Sequence, residues 1–196
     1  MTNCILKFLV GIGFVFLFPV MLISAFVIFI EDGFPIIFIQ ERVGKDEKIF
    51  KIFKLRTMKK NAPIKATHYV SKENYLFFGS YLRKFKIDEL PQLINYLKND
   101  IYLIGPRPCL PSQISLIQER KVNKITSLKP GITGLSQVMG YDMSNPVILS
   151  KVDKLYVANK SLKLDLYIFL ATFLKFFKDK LRRMFLEDLI IINKDV

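Results

Sequence analysis

Residues 8–30 read FLVGIGFVFLFPVMLISAFVIFI, an apolar run of 23 residues with no charged side chain and a single hydroxyl group, that of Ser24. A charge-free stretch longer than about 18 residues indicates a membrane segment. A cleaved signal peptide is the competing interpretation, but no small-x-small cleavage site follows the run, and acidic Glu31 and Asp32 come next instead. The sequence therefore predicts a protein that keeps this segment as a membrane anchor.

Pro19 lies in the middle of this run and leaves two arrangements open. A proline inside a helix removes one backbone N–H donor and clashes with the preceding turn, so a kink is expected there. Residues 8–18 would form a helix about 16 Å long, roughly one leaflet, and residues 19–30 could return as a second half-helix to the same side. The alternative is a single span with a tolerated proline, which the residues alone favour.

The positive charge lies outside the apolar run. The chain has 196 residues with 30 Lys and Arg against 17 Asp and Glu, a net charge of +13, and Lys7 is the only cation before Arg42. Because positively charged segments stay on the cytoplasmic side, we expect the basic body to face the cytoplasm. Nine cations between Arg42 and Lys65 would attract anionic headgroups or phosphate-bearing substrates, or form a solvated basic face.

The few cysteine and histidine residues exclude several classes of protein. Cys4 and Cys109 cannot form a disulfide scaffold, and with His68 as the only histidine the chain has no ordinary Cys/His zinc site. A Ser–His triad would have to use His68, and no G-x-S-x-G motif stands near it. No helix-turn-helix, RRM or zinc signature supports a nucleic-acid partner. The chemistry must therefore come from carboxylates, basic side chains, hydroxyls and the backbone.

The remaining pattern predicts an α+β body that is mostly helical, with a few short strands. Residues 34–40 are expected to form a strand or a turn onto the membrane, and residues 48–55 a basic surface strand or a short interfacial helix. We expect helices over 72–85, 89–97, 111–122 and 162–183, a strand over 101–104, a loop over 61–70 and a stiff turn over 129–134. The last helix mixes aromatics with cations, which suits either an interfacial helix or a core-facing helix with a basic outer face.

The adjacent carboxylates Asp88 and Glu89 precede Pro91, which suits the first turn of a helix. In one interpretation Asp88 caps that helix and Glu89 offsets its dipole. In the other, the carboxylates hold a divalent cation that bridges them to a diphosphate, while Arg83 and Arg107 bind phosphate oxygens. The two prolines that flank Arg107 would hold this arginine at a fixed angle, which reduces the ordering entropy lost on binding.

Five short motifs follow one another along the chain. They are Gln40–Gly44 (QERVG), Phe53–Met58 (FKLRTM), Asp88–Gln92 (DELPQ), Gly105–Pro108 (GPRP) and Lys129–Gly134 (KPGITG). Their order and spacing resemble the bacterial sugar transferase family, in particular its small monotopic phosphoglycosyl transferases, from the membrane segment to about residue 174. Two departures stand out: Phe18 precedes Pro19 where the family often has a small hydroxyl residue, and residues 140–145 lie in a region that varies between subfamilies.

The resemblance implies a reaction and its residues. Such enzymes move a sugar 1-phosphate from a UDP-sugar to polyprenyl (undecaprenyl) phosphate, release UMP and initiate lipid-linked glycan biosynthesis. By this resemblance Asp88 is the nucleophile that forms a covalent phosphosugar intermediate, and Glu89 assists as a base or as a cation partner. Both carboxylates are then ligands of Mg²⁺. Four basic residues match positions that bind substrate phosphate or lie near the membrane: Arg83, Arg107, Lys54 and Arg56.

The resemblance also implies an architecture and a location. Residues 1–33 would form a re-entrant membrane helix kinked at Pro19, and residues 34–196 a cytoplasmic catalytic domain with interfacial amphipathic helices at the bacterial inner membrane. Association with downstream glycosyltransferases is expected, whereas the sugar is not predicted. Two other functions stay open: a membrane-anchored basic protein that binds anionic lipid or nucleic acid without catalysis, and a structural anchor of a glycan-assembly complex that has lost activity.

Overall fold

The computed structural model describes residues 2–62 and 72–194. Over these residues the chain is mostly helical with a few short strands, which confirms the predicted class at this level. The helices are α1 Thr2–Asp32, α2 Phe77–Lys84, α3 Gln92–Leu97, α4 Ile114–Val122, α5 Leu135–Met139, α6 Pro146–Ala158, α7 Leu162–Phe173, α8 Lys175–Met184 and α9 Leu186–Lys194. The strands are β1 Ile37–Val43, β2 Ile49–Leu55, β3 Tyr102–Ile104 and β4 Gly131–Thr133. From residue 63 onward, the loop predicted over 61–70 lies outside the described residues, as does His68.

The chain divides into two compact units. Unit 1 comprises Met1–Gln40 and Lys51–Asn99, and unit 2 comprises Glu41–Phe50 and Asp100–Val196. The hairpin of β1 and β2 continues from one unit into the other. This division groups α1 with residues 51–99. The predicted boundary at residue 33 coincides with the end of α1 at Asp32, and a separate membrane domain there stays a prediction.

Helix α1 contains the apolar run. Its residues Ile5–Asp32 are long and apolar enough to cross a membrane, by length and composition. The helix is continuous through Pro19, so two separate half-helices are not seen, and the re-entrant arrangement stays a prediction. Near its C-terminal end Ile28 is fully buried in the core of unit 1, where it packs with Leu55, Leu76 and Leu82.

The hairpin decides between the two predictions for residues 48–55, which form strand β2 and not an interfacial helix. Eight residues are too few for periodicity to distinguish the two, whereas partners on both sides of the strand do. Strand β1 pairs with β2, and the buried Asn95 side chain accepts from the Phe53 N–H at 3.1 Å and donates to the Lys51 carbonyl at 2.7 Å. Asn95 therefore fastens α3 to this strand.

Unit 2 contains a second, parallel pair of strands. β3 pairs with β4 in the register Tyr102↔Gly131 and Ile104↔Thr133, so the turn predicted over 129–134 is wrong at residues 131–133, which form a strand. The strands approach so closely that a Cβ on Gly131 would lie 2.1 Å from the Gly105 nitrogen. Glycine is required here because the neighbouring atoms are backbone, which cannot move aside.

Helices α5–α9 form the main core of unit 2. Its fully or almost fully buried side chains include Leu135, Val152, Tyr156, Ile168 and Leu181. The single helix predicted over 162–183 is wrong, because Leu174 is extended (φ −117, ψ 115) and separates α7 from α8. Helix α6, which begins with Asn145 accepting from the Ile148 N–H and with Pro146 in its first turn, was not predicted.

The other predicted helices begin later than the sequence pattern suggests. Helix α4 begins at Ile114 and not at residue 111, and α3 begins at Gln92, after a 3-10 turn over Ile87–Glu89. The helix predicted over 72–85 consists of a 3-10 turn, Lys72–Asn74, followed by α2. Between them Tyr75 forms a bridge with Met58, and this tertiary pairing interrupts a locally helical pattern.

Candidate active site

Asp88 and Glu89 lie on the 3-10 turn that joins α2 to α3. Lys86 enters this turn in the left-handed region (φ 61), and Ile87 packs against the core of unit 1, which orients the next two residues. Both carboxylates are buried, with 6% and 7% of their surface exposed. Neither α3 nor the turn has a side-chain cap, so the interpretation of Asp88 as a helix cap is wrong.

The Asp88 carboxylate is incompletely paired. Its Oδ1 is buried and has no hydrogen-bond partner among the described residues. Burial raises the pKa of Asp88 above its ordinary value, and repulsion by Glu89 adds to this, whereas the charges of Lys54, Arg83 and Lys86 act in the opposite direction. A buried acceptor without a hydrogen-bond partner costs stability. A bound ligand or cation could supply the contact that Asp88 Oδ1 lacks.

Glu89 is paired with the first of the predicted basic residues. Lys54 Nζ lies 2.7 Å from Glu89 Oε1, and both side chains are largely buried. Strand β2 carries Lys54, so the hairpin brings the FKLRTM motif to the DELPQ motif. A charge-assisted hydrogen bond between buried groups is short and orients both partners. The structure therefore places one positive charge at the carboxylate pair.

Arg83, on the last turn of α2, is held by two neighbours. Its Nε donates to Thr57 Oγ1 at 2.7 Å and its Nη1 to Tyr75 Oη at 3.2 Å, and the guanidinium stacks 4.7 Å from the Tyr75 ring centroid. Its charge is among those that lower the pKa of Asp88. Arg83 therefore supplies a second positive charge near the nucleophile candidate. Thr57 lies in the FKLRTM motif but was given no role from the sequence, and Tyr75 lies outside every motif, because both contacts with Arg83 depend on packing.

Arg56 belongs to the same unit but binds the end of α1. Its guanidinium donates to the Asp32 carboxylate, to the Asp32 carbonyl at 3.1 Å, to the Gly33 carbonyl at 2.6 Å and to the Pro35 carbonyl at 2.5 Å. The side chain is 6% exposed. Phosphate binding by Arg56 stays a prediction, and it would require some of these bonds to be given up.

Arg107 belongs to unit 2, in the loop that follows β3. Its backbone carbonyl accepts from Arg120 Nη1 at 2.8 Å, and the preceding Pro106 carbonyl accepts from the Gly131 N–H at 2.9 Å. The GPRP and KPGITG motifs are thus joined by the pairing of β3 and β4. The Arg120 contact was missed from the sequence, since the two residues belong to different elements and no motif links them.

The carboxylate pair suits Mg²⁺ in part. Among residues 2–62 and 72–194, no group of three or more His, Cys, Asp or Glu side chains could hold a metal ion. Mg²⁺, however, is commonly held by one or two carboxylates, with waters and substrate phosphates completing its octahedral shell. Asp88 and Glu89 are adjacent carboxylates, and the unpartnered Oδ1 of Asp88 is the kind of hard oxygen that this cation prefers. The residues therefore fit a metal that binds together with a diphosphate.

Unit 1 thus combines a buried carboxylate pair, Asp88 and Glu89, with Lys54 and Arg83 close by and with an apolar helix long enough to cross a membrane. The chain belongs to the bacterial sugar transferase family, because that family's model matches residues 2–179.

Several similar proteins carry more specific names. The chain is 36% identical over 153 residues to the uncharacterized sugar transferase EpsL of Bacillus subtilis (strain 168), covering 78% of this chain and 75% of that protein. It is 36% identical over 166 residues to the UDP-N-acetylgalactosamine-undecaprenyl-phosphate N-acetylgalactosaminephosphotransferase of Aeromonas hydrophila, covering 79% and 38%. It is 32% identical over 177 residues to the UDP-glucose:undecaprenyl-phosphate glucose-1-phosphate transferase of Xanthomonas campestris pv. campestris, covering 85% and 36%. The chain thus spans three quarters of the first relative but little more than a third of the other two.

Proposed function

We propose that this protein transfers a sugar 1-phosphate from a UDP-sugar to undecaprenyl phosphate, releases UMP and so initiates lipid-linked glycan synthesis. Family membership and the names of the relatives support the reaction class. The observation that carries the proposal is the buried Asp88 carboxylate, with one unpartnered oxygen, beside Lys54 and Arg83.

In the first step the Asp88 carboxylate attacks the phosphorus next to the sugar. A bond forms between a carboxylate oxygen and that phosphorus, and the bond from the phosphorus to the bridging oxygen of UMP breaks, so UMP leaves with the electron pair. No general base is needed because an ionised carboxylate carries no proton to remove. Its raised pKa makes the carboxylate a stronger base than an ordinary aspartate, which favours attack.

In the second step undecaprenyl phosphate displaces the enzyme. One of its phosphate oxygens attacks the same phosphorus, the bond to Asp88 breaks, and the carboxylate returns to its starting state. The product is a polyprenyl diphosphate sugar. In both steps an anion attacks an anionic phosphoryl group, so the site must supply positive charge before reaction is possible. Lys54 and Arg83 supply it at the carboxylate pair, and we propose Arg107 as a further phosphate-binding residue.

We propose that Asp88 and Glu89 hold Mg²⁺ together with the substrate diphosphate. When bound, the cation would neutralise charge on the diphosphate and on the leaving phosphate. Lys54 holds Glu89 in place at 2.7 Å, which keeps one carboxylate oxygen oriented before substrate binds. The protein's own contribution is therefore a preorganised pair of carboxylates and not a complete metal cage.

We further propose that α1 is re-entrant, with both ends on the cytoplasmic side of the inner membrane. The observations in support are contacts at both ends with unit 1: Lys7 Nζ lies 3.5 Å from the Leu97 carbonyl, and Asp32 binds Arg56. In a straight helix Lys7 and Asp32 would be about 37 Å apart, more than a hydrocarbon core. The helix-breaking chemistry of Pro19 is consistent with a bend between them.

We also propose that α8 lies along the membrane interface. Its Leu181 is fully buried in the core of unit 2, whereas Phe176 is 65% exposed and is surrounded in sequence by lysines. A helix with aromatic side chains between basic ones is typical of the boundary between headgroups and acyl chains.

The function is tested by trapping the intermediate. Purified protein is mixed with undecaprenyl phosphate, Mg²⁺ and a panel of UDP-sugars, and UMP release is measured. Under single turnover without acceptor, intact-protein and peptide mass spectrometry should find the phosphosugar on Asp88. The control is Asp188→Asn, an exposed carboxylate on α9, which should retain wild-type UMP release. An adduct on another residue, or substantial UMP release by Asp88→Asn, would overturn the mechanism.

The topology is tested by labelling. Thr2→Cys is introduced in a Cys4→Ser background, and intact cells are treated with a membrane-impermeant maleimide. We expect labelling only after the membrane is permeabilised, as for the control Asn159→Cys in exposed sequence of unit 2. Labelling of Thr2→Cys in intact cells would show a full span.

A further inference from the structure

The loop that carries Arg107 is held by its backbone along its whole length. The hydrogen bonds are Gly131 N–H to the Pro106 carbonyl at 2.9 Å, Arg120 Nη1 to the Arg107 carbonyl at 2.8 Å, Arg42 Nη1 to the Pro108 carbonyl at 3.1 Å, and Val43 N–H to the Cys109 carbonyl at 3.0 Å. Four successive carbonyl oxygens thus have partners in strands β1 and β4 and helix α4. An arginine loop of this kind differs from an ordinary surface turn, whose carbonyls face water.

Arg120, one of the partners of this loop, is itself held by a buried charge. Its Nε and Nη2 donate to Asp153 Oδ2 at 3.1 and 2.6 Å, and Ser136 Oγ donates to Asp153 Oδ1 at 2.9 Å. Arg120 is 6% exposed and Asp153 is 2% exposed. The Arg120 guanidinium therefore binds two groups at once: Nε and Nη2 bind the Asp153 carboxylate, and Nη1 binds the Arg107 carbonyl.

The geometry points to Asp153 and Arg120 as a positioning pair that sets the direction of the Arg107 side chain for phosphate binding. This inference rests on the proposed function, in which Arg107 binds substrate phosphate. Pro106 has a fixed φ, and Pro108 restricts the backbone of the residue before it, so little freedom is left at Arg107. The Arg120 hydrogen bond to the Arg107 carbonyl fixes the peptide group between Arg107 and Pro108. With the backbone on both sides fixed, the direction in which the Arg107 side chain leaves the backbone is also fixed.

The charge of the pair favours positioning over stability as its role. Removing two charges from water costs about as much as their attraction returns, so a buried ion pair is weak support for stability. Two N–H groups of the planar Arg120 guanidinium donate to the Asp153 carboxylate, however, and this fixes the orientation of the guanidinium. Because Ser136 also binds Asp153, the carboxylate itself cannot turn away from Arg120.

The test is a double-mutant cycle on the full chain. We compare wild type, Arg107→Ala, Arg120→Lys and the double variant, and measure kcat/KM for UMP release and the Kd for UDP. Lysine retains the charge beside Asp153 but lacks the fork that also reaches the loop. In the wild-type background we expect Arg120→Lys to lower kcat/KM and to raise the Kd for UDP, each roughly 10-fold or more. In the Arg107→Ala background we expect a change of less than about twofold.

A matched control and a stability readout separate positioning from damage to the fold. Arg182 on α8 also donates to a backbone carbonyl of unit 2, that of Met139 at 3.4 Å, so Arg182→Lys should leave both quantities at the wild-type level. A purely structural role of Arg120 would lower the unfolding temperature and lower activity equally in both backgrounds. If Arg120→Lys fails to fold, Asp153→Asn, which keeps the shape and loses the charge, replaces it in the cycle.

Each outcome decides the inference. Equal losses in both backgrounds, a wild-type Kd for Arg120→Lys, or a wild-type Kd for Arg107→Ala would overturn it. The proposed function fails separately if the wild-type protein releases no UMP from any UDP-sugar. In that case the double-mutant cycle measured by the Kd for UDP tests the inference by itself. Absence of UDP binding by the wild-type protein would overturn the inference as well.

Discussion

The buried Asp88 carboxylate lowers the stability of the fold when it is ionised. Burial raises the pKa of Asp88, so the native state binds a proton more readily than the unfolded state, in which the carboxyl has a pKa of about 4. Stability therefore falls as pH rises from below about 4 through the raised pKa, and the full cost is present above it. The nucleophile candidate is thus a destabilising residue at neutral pH, as functional groups often are.

The first prediction concerns Asp88→Asn. At pH 7 this variant should be more stable than wild type by about 1 kcal/mol, because the amide is neutral and similar in shape, and the gain should shrink at pH 4. UMP release should fall by at least about 10⁴-fold. Thermal unfolding in detergent at the two pH values, with the UMP assay, measures both. A variant less stable than wild type at pH 7 would contradict this account of Asp88.

The second prediction concerns the ion pair of Lys54 and Glu89. Lys54→Met removes the positive charge that lies 2.7 Å from the buried Glu89 carboxylate and should destabilise the protein by about 3 kcal/mol. The double variant Lys54→Met/Glu89→Gln removes both charges and should recover most of this loss. Both should be inactive, because each removes part of the site. Thermal unfolding compares them, and a double variant no more stable than Lys54→Met would show that the pair is not coupled.

At the scale of elements, Arg56 links the end of α1 to strand β2. It binds the last residue of the helix, Asp32, by both carboxylate and carbonyl, and also the Gly33 and Pro35 carbonyls. Helix ends leave backbone carbonyls without partners, and an arginine fork satisfies several at once. The neighbouring Glu31 accepts from the Phe78 N–H at 3.3 Å at the start of α2. These contacts attach the apolar helix to unit 1.

The third prediction distinguishes this role of Arg56 from phosphate binding. Arg56→Gln should lower the unfolding temperature by several degrees, corresponding to about 2 kcal/mol, because buried carbonyls lose their donors. The KM for the UDP-sugar should change by less than about twofold. Steady-state kinetics beside thermal unfolding provide the readouts. A large rise in KM with an unchanged unfolding temperature would instead support phosphate binding.

At the scale of the whole molecule, an apolar helix is combined with a body that carries most of the charge. The net charge is +13, while the exposed side chains of α1 include Phe8, Phe16 and Phe26. The charges attract anionic lipids, and this attraction is screened by salt, whereas burial of an apolar helix in acyl chains is not. Membrane association should therefore depend chiefly on α1.

The fourth prediction follows from this difference. Washing membranes with 1 M NaCl, where the Debye length is about 3 Å, should leave the protein in the membrane fraction, and mild detergent should release it. Sedimentation and immunoblotting of the two fractions measure this. Release by salt alone would show that surface charge and not α1 holds the protein at the membrane.

Local patterns in the sequence were sufficient to predict the apolar helix, the mostly helical class and strand β3. They also singled out Asp88 and Glu89, whose roles stay a prediction. Each depends on composition or on residues that are close along the chain, such as the 23 uncharged residues at 8–30 or the two adjacent carboxylates. The motif order was also sufficient for the family, which the match over residues 2–179 confirms.

Only the tertiary structure decided the contacts between distant residues. It made 48–55 a strand through β1 and Asn95, divided the last helix at Leu174, and bound Arg56 to the end of α1. It also brought Arg120 to Asp153, 33 residues along the chain. Backbone propensity acts over a few neighbouring residues, whereas a buried charge takes whichever partner the packing brings to it, so these pairings were settled only when the chain had folded.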